Sequence, residues 1–192
     1  MALIKLFSLL FFSVILTGCG GYSGDTDISQ MLINIAETMP PVLAMVTAAS
    51  YVMGFVFVMK GVYKLKEYGE ARTMMSSQIS IWPIVIKLGV GAMLIYFPSA
   101  VDIGMQTLFD YSSPLSYSGT QSSETEELVD ALVLIMQVIG AIAFIRGLVL
   151  LSTSVQQGAQ PGGFSKGITF MVGGILAINI YGTWEVLVNT IT

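Results

Sequence analysis

The chain has no histidine, one cysteine, and charge on only 10% of its 192 residues. Without histidine there is no imidazole acid–base or triad chemistry, and one cysteine excludes an intramolecular disulfide and the usual Cys/His zinc site. That cysteine, Cys19, has no nearby His or Lys to lower its pKa, which argues against a catalytic thiol. The glycine-rich connector 156–163 lacks the Gly-Lys-Ser/Thr ending of a phosphate-binding loop. These absences point to no enzyme, no cofactor and no nucleic-acid partner. Soluble domains carry about 25% charged residues. With 54% hydrophobic residues and a mean hydropathy of +0.79, the composition belongs to the membrane class. Twenty glycines and twelve methionines suit close, adaptable packing between membrane helices.

The charges that remain are segregated. Residues 1–19 read as a signal segment: Lys5 supplies the positive start, and an apolar run follows to Leu16. The run ends Leu16-Thr17-Gly18-Cys19, the pattern of a bacterial lipobox, so Cys19 is a candidate for lipidation. A polar, Gly-rich tether follows within 20–40. Asp27 and Gln30 have capping-box spacing, and Ile28, Met31, Leu32, Ile35 and Met39 recur at helical intervals until Pro40-Pro41.

Four apolar stretches then appear, at about 41–61, 83–101, 129–151 and 164–188. Each approaches the ~20 residues that span a hydrocarbon core as helix. Trp82 beside Pro83 reads as an interfacial anchor. The third and fourth stretches repeat the first and second. Gly54, Lys60 and Gly61 align with Gly140, Arg146 and Gly147 at an offset of 86, while Gly89, Ile95 and Tyr96 align with Gly174, Ile180 and Tyr181 at an offset of 85. The expected architecture is therefore an all-α membrane protein: a signal segment, then two tandem transmembrane hairpins at 41–107 and 126–192, joined by an acidic, Ser-rich outer loop at 108–125. Ser123 and Glu126 give the capping box that opens the third helix.

Lys64, Lys66 and Arg72 occupy the turn after the first span, with Lys60 just inside it; Lys166 occupies the turn after the third, with Arg146 just inside. Residues 97–145 contain no Lys or Arg but six acids. The positive-inside rule places both basic turns in the cytoplasm and the acidic loop outside, so the repeats are parallel. Lys60, Lys87 and Arg146 are long enough to snorkel to lipid headgroups, and no acid lies at the centre of a span. Asn179 is the strongly polar residue near mid-span, where it either bonds across a helix interface or serves local packing. Gly54, Gly61, Gly89, Gly140, Gly147 and Gly174 mark faces where helix backbones can approach closely. Some of these faces are expected to serve other chains, which implies a homo- or hetero-oligomer in contact with membrane lipid.

The lipobox-like start, the two Gly-x5-Lys/Arg-Gly cores, the acidic outer loop and the stretch 49–70, ASYVMGFVFVMKGVYKLKEYGE, together resemble the IcmC/DotE family, or its paralogue DotV. The single hairpin also resembles IcmD/DotP and, more loosely, conjugative pilins. The resemblance implies a non-enzymatic inner-membrane subunit of the Dot/Icm type IVB secretion apparatus, working beside other secretion-system subunits in effector translocation. The alternatives are a small parallel-repeat transporter and a structural lipoprotein tether.

Overall fold

The computed structural model describes residues 28–73, 80–110, 123–155 and 162–191. The expected signal segment, Cys19 and most of the expected Ser-rich outer loop lie outside them. Every regular element among the described residues is an α-helix: α1 (Ile28–Glu37), α2 (Met39–Thr73), α3 (Trp82–Ile95), α4 (Phe97–Phe109), α5 (Ser123–Ser154), α6 (Gly163–Ile178) and α7 (Ile180–Ile191). Two helices, containing α2 and α5, are long and apolar enough to cross a membrane. The pairs α3–α4 and α6–α7 pass the same test only when each pair is taken together.

The amphipathic segment does not stop at Pro40-Pro41 as the sequence suggests. At Thr38 the chain makes a single turn, with the backbone N–H and the hydroxyl both donating to Ile35 O (3.1 and 2.6 Å). The two prolines then open α2 rather than close α1. A first helical turn leaves its N–H groups without helical acceptors, so proline costs nothing there.

Beyond Gly61 the expected basic turn is not a turn. α2 continues to Thr73, so Lys64, Lys66 and Arg72 stand on a helix. Local chemistry supports the extension. Lys66 and Glu70 form an exposed i,i+4 pair at 3.7 Å. Arg72 lies over the Tyr68 ring at 5.8 Å and in the last turn, where the helix dipole favours a cation.

The second and fourth spans depart further from expectation. Neither is a straight helix: α3 and α4 meet at 98°, and α6 and α7 at 97°. The first break falls at Tyr96 and the second at Asn179. At 14 and 16 residues, α3 and α6 are about 21 and 24 Å long, short of a ~30 Å core.

α2 packs along α3, and α5 along α6. The two pairs meet in one apolar core that includes Val46, Val90, Leu94, Phe97, Met105, Phe144, Leu148 and Ile175. Phe97 and Phe144 pack ring against ring at 6.0 Å and 55°. α4 contributes Phe97, Val101, Met105 and Phe109 to this core, an i, i+4 stripe on one helical face. It runs two residues past the expected end of its hairpin and closes at Asp110. This residue takes the left-handed conformation (φ 64°) while its N–H donates to Gln106 O, and aspartate tolerates that backbone better than bulkier residues.

Candidate functional site

The helix seams are built on glycine. A Cβ at Gly54 would lie 2.8 Å from the backbone N of Ile95 and 2.9 Å from Gly91 O; one at Gly61 would fall 2.6 Å from the Leu88 side chain. In the other pair, a Cβ at Gly140 would lie 2.6 Å from Gly174 O and 2.8 Å from Ile178 N. A Cβ at Gly147 would meet Met171 N at 2.7 Å and Gly167 O at 2.8 Å. At Gly54, Gly140 and Gly147 the contacts bring backbone against backbone, which only glycine permits, while Gly61 makes room for the Leu88 side chain.

The same contacts recur in both seams. Gly54 against Gly91 and Ile95 corresponds to Gly140 against Gly174 and Ile178, and Gly61 against Leu88 corresponds to Gly147 against Met171. The outgoing helices correspond at an offset of 86, as the sequence suggests, but the return helices correspond at 83, not 85. Gly89 therefore leaves the set of packing glycines, having no atom within 4 Å of its would-be Cβ, and Gly91 takes its place. Gly167, unremarked in the sequence, joins the second seam. Its signal was its spacing, seven residues before Gly174, which matches Gly140 and Gly147 on the facing helix. Gly104 is a further addition: its would-be Cβ lies 2.5 Å from the Ile175 side chain, where α4 crosses α6.

At an offset of 83 the two breaks also correspond, Tyr96 with Asn179. Their chemistry differs. Pro98 stands in the first turn of α4 and has no N–H with which to continue α3 through Leu94 O; the helix resumes with Ala100 N donating to Tyr96 O at 2.8 Å. At the second break side chains take the strain. Asn179 Oδ1 accepts from Gly182 N at 3.1 Å, the arrangement of an N-cap. The Thr183 hydroxyl donates to Leu176 O and Asn179 O at 2.9 and 2.8 Å. Asn179 is buried, and in these bonds it serves its own helix.

The basic residues separate into kinds. Lys60, Lys64, Lys66, Arg72, Arg146 and Lys166 are all exposed, while Lys87 is only 6% exposed. Arg146 lies over the Phe170 ring at 5.5 Å, a cation–π contact. Applying the two offsets, Arg146 corresponds to Lys60 and Phe170 to Lys87. Where the second pair sets a cation on a ring, the first sets Lys60 and Lys64 around a covered Lys87. No ion pair involves Lys87 among the described residues, where Lys66–Glu70 is the salt bridge found. A covered ammonium group with no carboxylate partner favours an anion such as a phosphate group.

Replacing Lys87 by Leu removes a covered like charge at little loss of volume. In zwitterionic detergent the variant is expected to unfold about 2–4 °C higher, the shift for ~1 kcal/mol in a chain of this size. It is also expected to lose the added stability that anionic phospholipid gives the wild type. Thermal unfolding with and without such lipid is the measurement.

Among the described residues no group of three or more His, Cys, Asp or Glu is placed to hold a metal. Comparison of the chain with family models, curated proteins and solved structures returns no match.

Proposed function

We propose that the chain is a non-enzymatic, multi-pass inner-membrane subunit of a type IVB (Dot/Icm) secretion channel, required for effector translocation. The observation that carries the reading is the division of labour within the Gly-x5-Lys/Arg-Gly core. In both helix pairs the glycines close a seam and the cation stands outside it, exposed. The core is thus a device for packing helices at a charged membrane boundary rather than a reaction centre.

In this reading the pairs are two transmembrane hairpins, with basic ends in the cytoplasm and residues 111–122 outside. The two tryptophans support the frame. Trp82 opens α3, Trp184 lies in α7 at the far side of the second hairpin, and both are 68% exposed, as befits residues anchoring opposite interfaces. α4 and α7, turned nearly perpendicular to the return helices, then run along the outer boundary. The partners are other secretion subunits and membrane lipid, and Cys19 is a candidate lipid anchor.

Topology is the first expectation to check. A cysteine at Ser116, with Cys19 replaced, should react with an impermeant maleimide in intact cells, and one at Lys66 only after lysis. The reverse pattern overturns the arrangement. Function is tested by purifying the native complex in mild detergent: co-purification with the secretion ATPase and core subunits, and loss of effector delivery on deletion, are the expected results.

One observation favours the transporter reading. Helices broken at corresponding positions in two repeats are where transporters place their substrate sites. That reading predicts loss of a small-molecule flux in Asn179→Ala, with secretion unaffected.

A further inference from the structure

The first hairpin docks on the second through a buried face. From the first come Val46, Val90, Phe97 and Val101; from the second come Phe144, Ile145, Leu148 and Ile175. Each of these residues has an image in the other hairpin, found with the offsets the glycine seams define: 86 for α2 and α5, 83 for α3–α4 and α6–α7.

The images are apolar or small, and most are exposed. Val46, Val90, Phe97 and Val101 map to Leu132, Gly173, Ile180 and Trp184. Leu132, Gly173 and Trp184 are exposed, Ile180 is half-buried, and nothing lies within 4 Å of a Cβ at Gly173. In the other direction, Phe144, Ile145, Leu148 and Ile175 map to Val58, Met59, Val62 and Ala92. Met59, Val62 and Ala92 are exposed and Val58 is half-buried. The second hairpin thus carries an unused copy of the surface with which the first hairpin docks, and the first carries an unused copy of the surface that receives it.

We propose that these two faces bind each other between copies of this chain, so that the second hairpin of one subunit docks on the first hairpin of the next as the two hairpins dock within a subunit. The contact is heterologous, head to tail, and repeats without exhausting either face. It generates a ring or an open helical array. Lys60 and Arg146 occupy equivalent positions at the same end of their hairpins, so the repeated step keeps each subunit at the same depth in the bilayer. Lipid would solvate each face singly. A second copy adds the shape match already realised inside the subunit, which is what associates helices when both environments are equally apolar. The proposal rests on the two-hairpin topology above but not on a role in secretion.

The internal contact of Gly104 with Ile175 supplies the test. Its image between subunits is Leu187 with Ala92. Both are exposed, so cysteine at either leaves the core intact. In membranes of cells carrying the full chain with Cys19→Ser, Ala92→Cys and Leu187→Cys together should give a ladder of disulfide-linked multimers under copper–phenanthroline oxidation. Two differently tagged chains carrying one substitution each should give mixed dimers. Either single variant alone should give none. Ile103→Cys, equally exposed on the outward side of α4, paired with Ala92→Cys should also give none.

Dimers from a single variant would indicate a two-fold contact and overturn the proposal. So would absence of the ladder, with Ser116→Cys still reacting as an outer residue; this would leave lipid or a different subunit on these faces. Wrong-sided reactivity at Ser116 would instead remove the topology on which the proposal stands. As a second readout, Trp184→Glu is expected to reduce the oligomer to single subunits in detergent by mass photometry, with unchanged helical content. Retention of the oligomer also overturns the proposal.

Discussion

Gly140→Leu is expected to separate α5 from α6 and to destabilise the protein more than the ~1–3 kcal/mol of ordinary overpacking. The obstacle at this position is not a side chain that can turn away. It is the carbonyl of Gly174 and the backbone N of Ile178, within 2.6 and 2.8 Å of the first added carbon. The whole helix must move, and contacts along the seam are lost with it. The unfolding midpoint in detergent should fall by roughly 10 °C or more. Gly54→Leu should act similarly, through Ile95 N and Gly91 O. Gly89→Leu, with open space around the site, should leave the midpoint nearly unchanged. The contrast between Gly89 and Gly91, two residues apart, is the sharper measurement. Equal effects at both would contradict the seam geometry.

The second large effect is expected at the break between α6 and α7. Asn179→Ala with Thr183→Val removes the side-chain bonds to Gly182 N, Leu176 O and Asn179 O. Loss of an N-cap costs about 0.5–2 kcal/mol, and backbone groups left unsatisfied away from water cost several more. Combined, they should lower the midpoint by roughly 5–15 °C and release α7 from its fixed angle. Spin–spin distances between labels on α5 and at Thr190 should broaden in the double variant. The corresponding break at Tyr96 should respond to Pro98→Ala instead, because there the missing N–H of proline does the work.

The helix content and the two long spans were legible because apolar runs of this length have few other solutions. The bends were not. Pro98 and Asn179 are visible in the sequence, but a proline near the end of a span and an asparagine inside one are each compatible with a straight helix. What decides the outcome is whether side chains can re-satisfy the backbone, which depends on Thr183 reaching back across the break. The seams were half legible. Gly54, Gly61, Gly140 and Gly147 follow from seven-residue spacing and Gly174 from the repeat, and the structure brings each against a facing helix. Gly89 keeps the repeat offset nearly constant, whereas the segment between Gly147 and Met171 is three residues shorter than that between Gly61 and Leu88. Insertions in connectors leave no trace in apolar pattern. The covered position of Lys87 was illegible for a different reason: a lysine in a span reads as a snorkelling residue until the neighbouring helix is known.

One helix end has a mechanical consequence. α2 runs from the Gly54 seam to Thr73 with no proline and no gap in its helical backbone, a distance of about 28 Å. Past Gly61 its residues are almost all exposed, so this length is a free-standing arm. α5 has no such arm: past Gly147 it stays largely covered, with Gly163 of α6 still against Ser154. A load applied sideways to the tip near Arg72 is delivered as torque to the glycine contacts, because no hinge intervenes to absorb it. A partner that grips the far end of this arm can therefore pry at the seam between α2 and α3 without touching the seam itself.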